Sequence, residues 1–130
     1  MVLEQSVDEL CFDFLPQKPV VVKSRSQPMS SDAGLLPIRQ FDDRWGFTRR
    51  LAECLVDRRS DPDHSHEQMV QQRIFGILAG YEDCNDHDTL RDDPILKLVA
   101  GRKAEDEPLA SQPTLSRFEN GVTPAELLQL

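Results

Sequence analysis

Ser65-His66-Glu67-Gln68-Met69-Val70-Gln71-Gln72-Arg73-Ile74-Phe75-Gly76-Ile77-Leu78-Ala79-Gly80 is the stretch that decides the fold class. Ser65 followed by Gln68 resembles a capping box, which satisfies backbone N–H groups that a helix start leaves open. Val70, Ile74, Ile77 and Leu78 recur at helical spacing and predict one apolar stripe. Gly80 tolerates the left-handed conformation that closes a helix. On either side the same signals recur. Downstream, Asp93-Pro94 opens a helix with Ile95, Leu98 and Val99 expected inward, and Gly101 ends it. Ser111 precedes a short helix over Pro113–Glu119 that stops at Asn120-Gly121. Thr123-Pro124-Ala125-Glu126 is a second capping box. Upstream, Leu35, Ile38, Phe41 and Trp45 fall on one helical face, with Pro37 tolerated in the first turn. Gly46 breaks that helix. Thr48 is the expected N-cap of the next, lined by Leu51, Cys54 and Leu55, and residues 58–65 read as a turn.

One segment departs from this period. Pro19-Val20-Val21-Val22-Lys23-Ser24 is rich in β-branched residues and predicts a short strand at about 20–24. A strand needs a partner for its backbone groups. None is evident in the chain, so the expected partner is a domain beyond it. The fold class is therefore mainly α with one short strand. The division read from the sequence is an extended segment over 1–30, a helical domain over 31–101, and a linker with short helices over 102–130.

Composition narrows the function classes. The chain has 130 residues, enough for one modest domain, with 38% hydrophobic residues and a net charge of −8. That charge argues against wrapping DNA by bulk electrostatics, so any nucleic-acid contact must come from local basic patches. Cys11, Cys54 and Cys84 are odd in number and lack C-x-x-C spacing, which fits free thiols in a reducing cytoplasm. No apolar run approaches the roughly 18 residues of a membrane span, and the N-terminus lacks the pattern of a signal peptide. The expectation is a cytoplasmic protein with no membrane partner.

Four stretches read together carry a resemblance. They are Ser31-Asp32-Ala33-Gly34-Leu35-Leu36, the run Gln72–Asp83 (QRIFGILAGYED), the run Asn85–Pro94 (NDHDTLRDDP), and the run Leu109–Asn120 (LASQPTLSRFEN). In that order and spacing they resemble the N-terminal region of bacterial insertion-sequence transposases with a group 1 DDE domain. The resemblance implies a helical region leading into an RNase H-like domain, where carboxylates hold metal ions for attack on phosphodiesters. Mg²⁺ is implied for the full-length enzyme, and no cofactor for this chain. No residue here matches the catalytic carboxylates, so no catalytic or metal-binding residue is assigned. The chain is read as a fragment, inactive alone. The implied partners are the terminal inverted repeats of the element and, in the full-length protein, further copies of itself.

Candidate DNA-contacting residues follow. Gln112, Thr114, Ser116 and Arg117 form a recognition-helix start with Leu115 and Phe118 inward; the alternative is an ordinary capped helix. Lys18, Lys23, Arg25, Arg49, Arg50, Arg58 and Arg59 are the basic concentrations that could meet phosphates, against a default of solvated surface. Glu82, Asp83, Asp86, Asp88, Asp92 and Asp93, with Cys84 and His87, invite a metal reading. They lack EF-hand or zinc spacing, and helix capping by Asp86 or Asp88 and by Asp93 is expected instead. His64 and His66 do not share a helical face and are not expected to pair on a metal. Phe41 and Trp45 are expected in the core rather than on a partner surface. The rival readings are a stand-alone DNA-binding regulator of transposition, a protein-interaction module, and a remnant without function.

Overall fold

The computed structural model describes the backbone of residues 9–12 and 20–23, and residues 30–130 in full. The expectations placed on Lys18 and Arg25 lie outside these residues, as does the Lys23 side chain. The described chain is mainly helical. Strands β1 (Glu9–Phe12) and β2 (Val20–Lys23) pair antiparallel, with Glu9 opposite Lys23 and Phe12 opposite Val20. The expectation of one strand awaiting a partner in another domain is therefore corrected. The partner lies a short distance upstream in the same chain, where closing the loop costs little entropy.

Seven α-helices follow. They are α1 (Leu35–Trp45), α2 (Phe47–Glu53), α3 (His66–Leu78), α4 (His87–Leu90), α5 (Pro94–Val99), α6 (Gln112–Asn120) and α7 (Pro124–Leu127), with a 3-10 turn at Cys84–Asp86 ahead of α4. Most of their ends obey local chemistry. The Ser65 hydroxyl accepts from the Gln68 N–H, and Asp93 accepts from the N–H groups of Ile95 and Leu96. Thr123 and Glu126 complete both bonds of a capping box. Gly80, at φ +97°, closes α3 with the N–H of Gly80 on the Ile77 carbonyl and that of Tyr81 on the Gly76 carbonyl, the doubled bond of a Schellman end.

The inward faces differ from the expected ones. α3 is central, with α2, α5 and α6 packed against it. It buries Met69, Val70, Gln71, Gln72, Phe75 and Gly76, while Ile77 and Leu78 are exposed and Ile74 is half-buried. The reason is that its two glutamines have partners. Gln71 donates to the Thr48 hydroxyl, and Gln72 bonds both backbone groups of Ala110, at 2.9 Å to its carbonyl and 3.1 Å from its N–H. A buried amide so satisfied no longer carries an open desolvation cost. α5 likewise buries Leu96, Lys97 and Val99 and exposes Leu98. Lys97 reaches the carbonyls of Ala104 and Asp106, which organises the 102–108 loop.

α1 is turned furthest from expectation. Leu35 is buried, but Ile38, Phe41 and Trp45 face outward. Asp42 is the buried residue instead, accepting from both the N–H and the hydroxyl of Thr48. Thr48 is thus not the N-cap of α2. That position belongs to Gly46 (φ +66°), and Asp42 supplies the cap from the preceding helix. Holding Asp42 and Arg39 inward, with Arg39 donating to the Val99 carbonyl, rotates the apolar stripe to the surface.

Residues 102–130 are not a linker in packing terms. Leu109 joins the core of Leu35, Phe75, Leu90, Leu96 and Val99. Ala110 and Leu115 close a second cluster on Met69, with Phe118 against it.

Beneath α3, His87 is fully buried over Gly76, and its Nδ1 receives the Gln72 amide at 3.2 Å. Burial, aided by the charge of Arg73, holds its pKa below the ordinary 6.5. His64, pushed the same way by burial and Arg102, behaves alike. A histidine with a lowered folded pKa leaves the unfolded chain binding the proton first. Stability is then full above about pH 6.5 and falls as pH drops through it. The urea midpoint should accordingly be lower at pH 5.5 than at pH 7.5. Equal midpoints would mean that neither ring needs to be neutral in the fold.

Candidate nucleic-acid interface

α6 is built from its own caps and from the core below it. Ser111 occupies the N-cap, and its hydroxyl engages that of Thr114 rather than a backbone N–H. Leu115 and Phe118 turn inward as their spacing predicts. That orientation leaves Arg117 exposed and Thr114 half-buried on the side facing the 55–59 segment. Between them lies a cleft of about 500 Å³, floored by Leu55, Val56, Met69, Phe118 and Val122 and rimmed by Arg58, Arg59, Thr114 and Arg117.

The cleft walls are fixed by carboxylates. Asp57 takes a two-pronged contact from Arg59, at 2.8 Å from Nε and 2.7 Å from Nη2, which holds its carboxyl well below the usual range. Glu126, reaching back from α7, accepts from the Thr123 and Val56 N–H groups. Those bonds lower its pKa to about 2. Glu126 therefore ties α7 to the 55–59 segment. Arg58 lies 3.8 Å from Glu126 and is mostly exposed. The His66 ring packs on Phe118 at 5.3 Å, with Nε2 3.7 Å from Asp57. The rim thus carries three guanidiniums against two carboxylates, a small local excess of positive charge on an acidic chain.

The sequence-selected residues divide into two places. Thr114 and Arg117 meet Arg58 and Arg59 at the cleft, although these come from distant segments. Gln112 and Ser116 are half-buried and do not line it. Arg49 and Arg50 lie instead at the elbow between α1 and α2, where Arg50 donates to the carbonyls of Trp45 (2.7 Å) and Gly46 (3.3 Å). Asp57, His66 and Glu126 were not selected as DNA-contacting residues. The only sequence signal for Glu126 was its capping box, which does not reveal the long reach to Val56.

The acidic run disperses. Asp86 occupies the N-cap of α4 as expected, although its side chain makes no cap bond; Asp83 caps the 3-10 turn ahead of it by accepting from the Asn85 N–H, and Asp93 caps α5. The Cys84 thiol donates toward Glu119 at 3.5 Å, and burial followed by that carboxylate pushes its pKa up, the opposite of an activated thiolate. His64 and His66 part company: His64 accepts from Arg102, while His66 turns to the cleft. Among the described residues, no group of three or more His, Cys, Asp or Glu stands close enough to hold a metal ion. The described residues therefore do not fit a catalytic metal pair. No described helix is long and apolar enough to cross a membrane.

Comparison with known families yields a match to the transposase DDE domain, group 1, over residues 12–130. No curated protein and no solved structure gives a significant match.

Proposed function

The chain belongs to the transposase DDE domain family, group 1, and on that premise we propose that it serves transposition by gripping DNA rather than by cutting it. The cleft between α6 and the 55–59 segment takes the phosphate backbone at the terminal inverted repeats. Arg117 and Arg58 act as the charged contacts, and the Thr114 hydroxyl as a neutral one. Arg59 holds the wall in place through Asp57. The observation that carries this reading is the convergence of Thr114 and Arg117 with Arg58 and Arg59 on one cleft. Catalysis is assigned to none of the described residues.

Anisotropy of a labelled duplex carrying an element end, titrated over a range of salt, tests the proposal. Arg117→Ala should weaken binding about fivefold and reduce the slope of log K against log salt by about 1. Phosphate contacts act on any sequence, so a scrambled duplex should lose as much. Binding and slope unchanged by Arg117→Ala would exclude the cleft.

A second reading has an observation of its own. The outward apolar stripe of Ile38, Phe41 and Trp45 on an acidic chain suits a protein partner, including a second copy. Sedimentation at rising concentration would reveal self-association by that face.

A further inference from the structure

The elbow between α1 and α2 combines exposed aromatic rings with guanidinium groups, away from the cleft. Trp45 and Phe47 flank Gly46 and are 61% and 57% exposed. Phe41 lies beside Trp45, ring centroids 5.9 Å apart, so two rings form one continuous surface. Both arginines that follow turn back onto the elbow. Arg50 donates to the Trp45 carbonyl, and Nη2 of Arg49 lies 2.9 Å from where a Cβ on Gly46 would sit. The left-handed glycine lets that guanidinium approach the backbone. Arg49 also stands 4.0 Å from Glu53, but both side chains are mostly exposed, and such pairs are weak. Beside Phe47 and Arg50 a hollow of about 630 Å³ extends past Leu51 and Cys54.

The geometry points to an unpaired nucleotide as the ligand of this elbow: a base stacked on Trp45 or Phe47, its phosphate on Arg49 and Arg50. Each element of the site matches one part of that ligand. An aromatic face accepts any base without regard to sequence, and a guanidinium at its edge meets the flanking phosphate. A paired base buries its faces in the duplex stack, so the elbow discriminates for single strands, such as DNA opened next to an element end. A partner protein would use the aliphatic part of the α1 stripe at Ile38 as well, whereas a nucleotide needs only the rings and the guanidiniums that border them. The inference shares with the proposed function only the premise that the chain meets DNA, and it concerns separate residues.

Trp45 is the only tryptophan in the sequence, so its fluorescence reports on this elbow alone. The full chain is titrated with a short oligothymidylate while tryptophan emission is followed, and again with a duplex of matched length. Saturable quenching by the single strand, and little by the duplex, is expected. With a labelled oligothymidylate, Trp45→Leu should weaken binding about tenfold, and Arg49→Ala should flatten the salt dependence. Both residues are exposed, and circular dichroism should show both variants folded. Arg117→Ala should leave the quenching intact, so the cleft and the elbow can fail separately. Emission that stays constant while the labelled strand saturates would overturn the assignment. So would equal quenching by duplex, or a blue shift on raising protein concentration without DNA, which would make the elbow an interface between copies.

Discussion

Ending the chain at Gly101 is expected to leave the remainder without a cooperative unfolding transition. The cut removes Leu109, Ala110 and Leu115, all buried, from the two clusters that hold Phe75 and Met69. Two leucines contribute about 2 kcal/mol each in burial. Gln72 would lose both backbone partners on Ala110, at about 1–3 kcal/mol for each buried group left unpaired. Lys97 would lose the carbonyls of Ala104 and Asp106, and the Arg102 link to Asp63, His64 and Gln68 would go. Together these losses rival the roughly 5–15 kcal/mol by which a whole domain is stable. Circular dichroism of the shortened chain under urea is the measurement. A sigmoidal transition with undiminished helix content would show that 102–130 is an appendage after all.

Replacing Gln72 with alanine should produce the largest effect of any single substitution at a polar position, about 4 kcal/mol. Its amide serves three partners: the carbonyl and the N–H of Ala110, and Nδ1 of His87. Ala110 and His87 are fully buried, so water cannot substitute at the surface. Each stranded group costs about 1–3 kcal/mol, and the vacated volume adds to this. Gln72→Met separates the two contributions. It restores most of the volume but none of the bonds, so it should recover only the smaller share. Recovery of nearly all the stability by methionine would show that packing, not the amide, matters at this position.

The contrast between Gln72 and Ile77 shows how far a sequence can be read. Both lie on α3, whose start at Ser65 and end at Gly80 follow the local signals closely. The choice of inward face does not. Ile77 and Leu78 belong to the apolar stripe and are exposed, whereas Gln71, Gln72 and His87 are polar and buried. A hydrophobic pattern assumes that polar groups have no partner inside. Here they do, and those partners are 15 to 38 residues away. The same limit governs the candidate interface. Thr114 and Arg117 were legible as the outer side of a capped helix, and Arg58 and Arg59 as a basic pair. That these residues share one cleft depends on Glu126 reaching Val56 across the chain, which no spacing announces.

By itself, the sequence determined what depends on neighbours within a few positions: the helical class, the caps at Ser65, Asp93 and Thr123, the stops at Gly46, Gly80 and Gly101, and a family signature carried by four short runs. These are local because a cap bonds the turn beside it and a left-handed glycine answers only to its own backbone. The tertiary structure decided which faces are buried, that 109–118 completes the core, that β2 pairs with β1, and that Phe41 and Trp45 face solvent. Each of those outcomes turns on a partner distant in sequence. A buried amide or carboxylate is tolerated only where folding delivers its complement, and such delivery rotated α1 and α3 away from the faces their apolar residues predict.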